Sequence, residues 1–218
     1  MAVVATDAFT VVTDASLYGR TPTTGTGPWV QHASTASGAI TVDAVADRIY
    51  ASNNNEAIGH IADSPGGADY SVKALFTKVT HPLASAAAGV VGRVDTAALT
   101  FYRLAYDRDT STWYLQKRVT GTWTTLGTPF AETLANADTR AIELKMTGAT
   151  IEGYVAGTLR INASDSAITA QGVSGVMVFD IGTVSGVTGY ALDDWSLENA
   201  AGGGASSGAK RLSLLGVA

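Results

Sequence analysis

The stretch that most constrains the fold is "ADYSVKALFTKV". It alternates strictly, with Tyr70, Val72, Ala74 and Phe76 on one side and Ser71, Lys73, Leu75 and Thr77 on the other. A period of two belongs to a β-strand with one face in a core. Shorter runs of the same character follow along the chain: "RIYAS", "AGVVGRV", "LTFYRLAYD", "TWYLQKRV", "TWTTLG", "AIELKM", "TIEGYV", "TLRINA", "GVMVFD" and "GYALDDWSLEN". Counted generously, about a dozen strands with turn signals roughly every 8–12 residues predict an all-β, antiparallel sandwich of two sheets. No strand–helix–strand alternation is visible, which excludes a doubly wound parallel fold. The Ala-rich "HPLASAAAGVVGRV" carries proline, glycines and valines that lead it into a strand. One helical turn is expected in residues 129–139, "PFAETLANADT", with Pro129 at its start and Glu132 in its first turn. Two antiparallel hairpin units stand out. "STWYLQKRVTGTWTTLG" turns at a glycine, and "KMTGATIEGYVAGTLRI" has Gly148 and Gly157 at its corners.

Composition agrees with a folded domain. Of 218 residues, 46% are hydrophobic and 15% charged, which suffices for a sizeable core. The net charge is -5 and no basic run precedes the last ten residues, so a nucleic-acid groove is not expected. Cysteine is absent, which removes disulfides and thiolate metal sites and fits synthesis in a reducing cytoplasm. "MAVVATDAFTVV" lacks the basic and apolar regions of an export signal, and no apolar stretch is long enough for a membrane helix. The folded part is expected over residues 1–199. Residues 200–209, "AAGGGASSGA", have the composition of a flexible linker. Residues 210–218 form a short tip in which Lys210 and Arg211 are cationic and Leu212, Leu214, Leu215 and Val217 apolar. Such an arm is expected to pack on its own domain or, in preference, on a neighbouring subunit; a frayed tail is the plainer alternative.

The chemistry-bearing residues are sparse. Serines are many, but no Gly-x-Ser-x-Gly elbow is present. His32, His60 and His81 lack partners at zinc-binding spacing and are expected at the surface or half buried. "GTGPW" lacks the third glycine and the strand-to-helix setting of a dinucleotide loop. In "YALDDWSLEN", regular alternation puts Ala191, Asp193, Trp195 and Leu197 on one face and Tyr190, Leu192, Asp194 and Ser196 on the other. Without a bulge, the two aspartates cannot share a site. These two and Asp7 are expected to cap turn amides or to pair with Arg20 or Arg48. Finally, Phe101 and Arg103 share a face of one strand, Tyr114, Gln116 and Arg118 a face of the next, and Trp123 follows in the hairpin. These six residues form either a platform for a sugar or a protein, or a piece of core with the arginines reaching outward.

An ordered set of phrases carries a family resemblance. "DAFTVVTDASLYGRTPTTGTGPWVQHAST" is followed by "GAITVDAVADRIYAS", then "FYRLAYD", "WYLQKRV" and "TTLG", and at the end "DDWSL". From about Ala5 to Asn199 the chain resembles the concanavalin A-like lectin/glucanase jelly roll, particularly versions in bacteriophage structural proteins. The resemblance implies a jelly-roll sandwich, which serves lectins, glycosidases, carbohydrate-binding modules and virion proteins alike. Hydrolases of this kind carry Glu-x-Asp-x-x-Glu or Glu-x-Asp-x-Glu on one strand. None of Glu56, Glu132, Glu143, Glu152 or Glu198 begins such a pattern, so no enzyme is expected. The resemblance also leaves room for a structural Ca²⁺ held by Asp7 with Asp193 or Asp194, though no cofactor is required. The expectation is therefore a non-enzymatic virion component, a head decoration or tail accessory protein made in the bacterial cytoplasm, with neighbouring virion subunits as partners. The alternative is a lectin-like module for cell-surface or polysaccharide glycans. Neither involves nucleic acid or membrane insertion.

Overall fold

The structure, a computed structural model, describes residues 2–80, 85–180 and 189–200. The apolar tip with Lys210, Arg211, Leu212, Leu214, Leu215 and Val217, and also His81, lie outside the described residues. In chain order the strands are β1 (Ala2–Asp7), β2 (Ala15–Ser16), β3 (Trp29–Gln31), β4 (Ile40–Asp43), β5 (Arg48–Ala51), β6 (Ala57–Ile61), β7 (Tyr70–Lys78) and β8 (Ala86–Asp95). They continue with β9 (Thr100–Asp107), β10 (Thr112–Val119), β11 (Thr122–Ala131), β12 (Thr139–Thr147), β13 (Thr150–Val155), β14 (Thr158–Ser164), β15 (Val173–Asp180) and β16 (Tyr190–Asn199).

These strands form an antiparallel two-sheet sandwich. The larger sheet has nine strands in the order β14-β13-β12-β7-β16-β5-β4-β2, with β1 also paired to β16. The smaller has seven in the order β11-β10-β9-β8-β15-β6-β3. Alternation in β7 is as the sequence predicts, with Tyr70, Val72, Ala74 and Phe76 all buried between the sheets. Phe76 is the hub of one aromatic cluster, 5.5 Å from Tyr106, 5.0 Å from Trp113 and 5.1 Å from Tyr190. Trp29 joins Phe9 and Trp195 in another, at 5.8 and 4.9 Å. Each such ring removes a large apolar area from water, worth about 2–3 kcal/mol against leaving it exposed.

The hairpins form as expected. Thr120 and Gly121, both at positive φ, make a two-residue turn between β10 and β11, and Ala156 and Gly157 do the same between β13 and β14. The helical turn expected at residues 129–139 does not form. Pro129, Phe130 and Ala131 extend β11, an edge strand where proline's missing N–H costs no ladder bond. Glu132 is tied to the sheet instead. Its carboxylate accepts from Trp113 Nε1 (2.8 Å) and Arg140 Nε (2.8 Å), and its carbonyl from Tyr106 Oη (2.8 Å). Among the described residues the helical element is a single 3₁₀ turn, Ala33–Thr35, capped by the ring of His32.

One end of the sandwich is pinned by Arg93, 1% exposed and at φ +49 in a bulge of β8. Its guanidinium donates to the carbonyls of Ala68 (3.0 Å), Ile168 (2.8 Å) and Gly148 (2.9 Å), and its amide to Tyr70 Oη. Three loops are thereby held by one side chain.

Candidate functional site

The outer face of the smaller sheet gathers the six platform residues. Register sets Arg103 opposite Gln116, Phe101 opposite Arg118, and Arg118 opposite Trp123. Arg103 donates from Nε and Nη2 to Gln116 Oε1 at 2.8 and 2.6 Å, and from Nη1 to Met177 Sδ at 3.2 Å. Its guanidinium carbon stands 3.9 Å from the Trp123 ring centroid, and that of Arg118 at 4.9 Å. Arg118 donates to Gly121 O (3.1 Å) and to Glu56 Oε1 (2.5 Å), and Gln116 Nε2 to Thr125 Oγ1 (3.3 Å). Tyr114 is half buried on the same face, opposite Ala105.

Arg103 is the unusual member. Its direct partners are neutral, and burial pushes its pKa down to about 10, so it stays charged at neutral pH without a bonded carboxylate. A guanidinium has five N–H donors. Three are used here, which leaves two to offer to a ligand.

Phe101 plays a different part from the rest of the six. It is fully buried, and with Ile58, Val91, Val94 and Met177 it forms a second apolar cluster on the outer side of the smaller sheet. Trp123, Leu99 and Val173 cover that cluster, with the Trp123 ring edge-on to Phe101 at 5.5 Å. Platform and core are thus both present: Phe101 supports Trp123 from below, while Arg103, Tyr114, Gln116 and Arg118 keep partial access to solvent. Glu56 comes from the loop between β5 and β6, 62 residues from Arg118 in sequence, and no local pattern signals it.

The histidines correct an expectation. His32 and His60 are 0% and 5% exposed, not half buried or at the surface. The His32 Nδ1 accepts from Ser34 N (3.1 Å), which leaves Nε2 as the donor to Asp95 O (2.8 Å) and Ala98 O (3.2 Å). His60 stands beside it with centroids 6.3 Å apart, and burial lowers its pKa. Both are packing groups of the interior.

The final strand also departs from regular alternation. Its pairing with β7 slips between Asp193 and Ser196, and Asp194 has φ +48. This bulge resets the parity, so Tyr190 and Leu192 before it and Trp195 and Leu197 after it all enter the core. Both aspartates are excluded from that core. Asp193 Oδ1 accepts the Asp194 amide at 2.7 Å. Burial, helped by the charges of Asp194 and Asp47, pushes the Asp193 pKa up to about 6.

Asp7 lies next to Trp195 in the β1–β16 register and is 1% exposed. Its carboxylate accepts from Arg20 Nη2 (2.6 Å) and Nε (3.3 Å), Trp29 Nε1 (2.7 Å), Thr23 Oγ1 (3.3 Å) and Phe9 N (3.0 Å). Arg20 therefore stands where a cation would, and the remaining oxygen lone pairs face N–H and O–H donors. Ca²⁺ requires six to eight oxygen ligands. Asp7 does not fit that role, and among the described residues no group of three or more acidic or histidine side chains is placed to hold a metal ion.

No family model and no curated protein sequence matches the chain. Solved structures do. A carbohydrate-binding module, CBM66, from Bacillus subtilis superposes with TM-score 0.57 at 15% identity, covering 87% of this chain and 98% of its own. A β-glucanase from Bacillus licheniformis gives 0.54 at 12%, covering 89% and 96%. A protein of unknown function with a galectin-like fold from Bacillus subtilis gives 0.59 at 11%, covering 78% and 89%. At these identities the likeness shows the fold alone, an antiparallel two-sheet jelly-roll sandwich.

Proposed function

We propose that the chain is a non-enzymatic, lectin-like carbohydrate-binding module that holds a glycan against the outer face of the smaller sheet. The observation that carries this reading is the Arg103–Gln116–Arg118–Trp123 array, in which a charged guanidinium is fixed by neutral partners and keeps free N–H donors. Planar donors of this kind meet adjacent sugar hydroxyls in pairs, and the half-buried ring of Tyr114 offers a surface for the sugar's C–H face. Such binding needs no cofactor. The non-enzymatic part of this reading is supported by carboxylates near this face that are already engaged: Glu56 is paired with Arg118, and Asp107 caps the amide of Thr110. The fold is one that a carbohydrate-binding module also has.

The test is a glycan array followed by calorimetry on Tyr114→Ala and Gln116→Ala. Trp123→Ala is a poorer probe, because it also uncovers the second apolar cluster. The expected outcome is a glycan whose binding either substitution weakens about tenfold or more, with the melting midpoint held. An array without a binder, or binding indifferent to both substitutions, would sink the reading.

The virion role expected from the sequence has one point of support in the fold. The folded part ends beside its beginning, with Asn199 opposite Ala2 and the Ala200 amide on Asp69 O at 3.1 Å. Ala200 thus stands at one end of the larger sheet, beside the first residues of β1 and β7, a suitable root for an arm that reaches a neighbour. Co-purification with intact phage particles, lost when the chain is cut after Ala200, is the expected result; normal incorporation of the cut chain refutes the arm's role.

A further inference from the structure

The opposite face of the sandwich has a groove of its own. On the outer side of the larger sheet, register aligns Tyr154, Glu143, Lys73 and Ser196 side by side across β13, β12, β7 and β16. With Asp194 at one wall and Leu75 on the floor, they line a cavity of about 340 Å³. That volume is within the range of small-molecule sites.

The charges in this region are unevenly paired. Lys73 Nζ is bound to Glu198 at 2.7 Å, and Lys145 Nζ to Glu152 at 3.1 Å while standing 5.9 Å from the Tyr154 ring centroid. The carboxylates of Glu143 and Asp194 accept no hydrogen bond and close no ion pair among the described residues. They stand on opposite walls, on strands that flank β7 and so run about 9–10 Å apart. The bulge places Asp194 here. In an unbroken strand it would share the face of Leu192 and point into the core.

We infer that this groove is a second saccharide site, taking a single neutral pyranose unit. Its walls are rich in acceptors, so the ligand must bring donors, and adjacent hydroxyls supply them to Glu143 and Asp194 from either side. Its floor is apolar at Leu75 and its wall aromatic at Tyr154, which suits the C–H face of a sugar ring. Ser196 supplies a hydroxyl that both donates and accepts. The site lies on the other sheet from the proposed platform and does not depend on it. With both sites present, one domain would join two glycan chains.

Amide NMR titration of the whole chain with glucose, galactose and mannose tests the inference. At least one of these sugars is expected to shift the amides of Glu143, Asp194, Ser196 and Gly157. Glu143→Gln and Asp194→Asn should each weaken that response about tenfold, by replacing a charged acceptor with a neutral one. Asparagine tolerates the positive φ at residue 194, so this substitution leaves the backbone in place. Shifts confined to β9–β11 would support the platform and overturn the groove. Shifts in the groove that both variants retain would also overturn the inference, without bearing on the platform. A response to glucosamine but to none of the three neutral sugars would mark a cation site and also overturn the inference.

Discussion

Replacing Asp193 with asparagine should stabilise the protein, and the gain should depend on pH. Asp193 sits in the bulge of β16, where burial, helped by the charges of Asp194 and Asp47, raises its pKa from 3.8 to about 6, against the hydrogen bond from the Asp194 amide and the weaker pull of Arg48. The native state thus holds the Asp193 proton more tightly than the unfolded chain does. By linkage, this group's contribution is most favourable below pH 3.8, declines as pH rises, and levels off above about pH 6. A shift of about two units corresponds to about 3 kcal/mol at most. Partial exposure of the side chain leaves about 1–2 kcal/mol after solvent screening. Asparagine stays neutral at every pH and keeps the Oδ1 that accepts the Asp194 amide. Urea unfolding of both proteins from about pH 4 to about pH 8 should show nearly equal stability at the acid end. The variant should lead by about 1–2 kcal/mol at the alkaline end, or a few degrees in melting midpoint. A difference that does not change with pH, or a wild type that is the more stable at about pH 8, would refute the argument.

Two further outcomes are expected. Arg93→Met should strand the carbonyls of Ala68, Ile168 and Gly148 without their donor and lower unfolding free energy by about 3–5 kcal/mol, read from the urea midpoint; a loss under about 1 kcal/mol would show that the three loops hold without it. Arg20→Ala should leave the Asp7 carboxylate buried without its counter-charge and cost about 3 kcal/mol, whereas a calcium chelator should leave the wild-type melting midpoint unchanged; a midpoint that falls on chelation and recovers with calcium would contradict the assignment of Asp7 to Arg20.

How much of this could be read in the sequence depended on whether a residue's neighbours were local. The strands of the hairpins, and β7 with its strict alternation, were legible because each carries its own period and turn residues. β6 was not, since all five residues of "AIGHI" are buried and leave no contrast between faces. The segment at Pro129 departs from its local pattern for the opposite reason. Its local signals are those of a helix start, but Trp113 on β10 and Arg140 on β12 claim the Glu132 carboxylate and hold the segment to the sheet. The platform was half legible. Alternation correctly grouped Arg103 with Gln116 and Arg118, yet burial of Phe101 follows from Ile58, Val91 and Met177 on other strands, and Glu56 arrives from an unrelated loop.

The last strand shows where a rule of period two gives way and how the sequence signals it. Tyr190 and Leu192 are apolar at even positions, Trp195 and Leu197 at odd ones. If all four must be buried, the parity has to change between Leu192 and Trp195, and one extra residue must be absorbed there. The residues at the break are two aspartates, and Asp is among the few side chains that tolerate positive φ. Apolar spacing alone would therefore locate the bulge, which an expectation of strict alternation passes over. Strict alternation across it buried the consequence: the carboxylates that seemed divided between two faces are both turned away from the core, and one of them lines a groove.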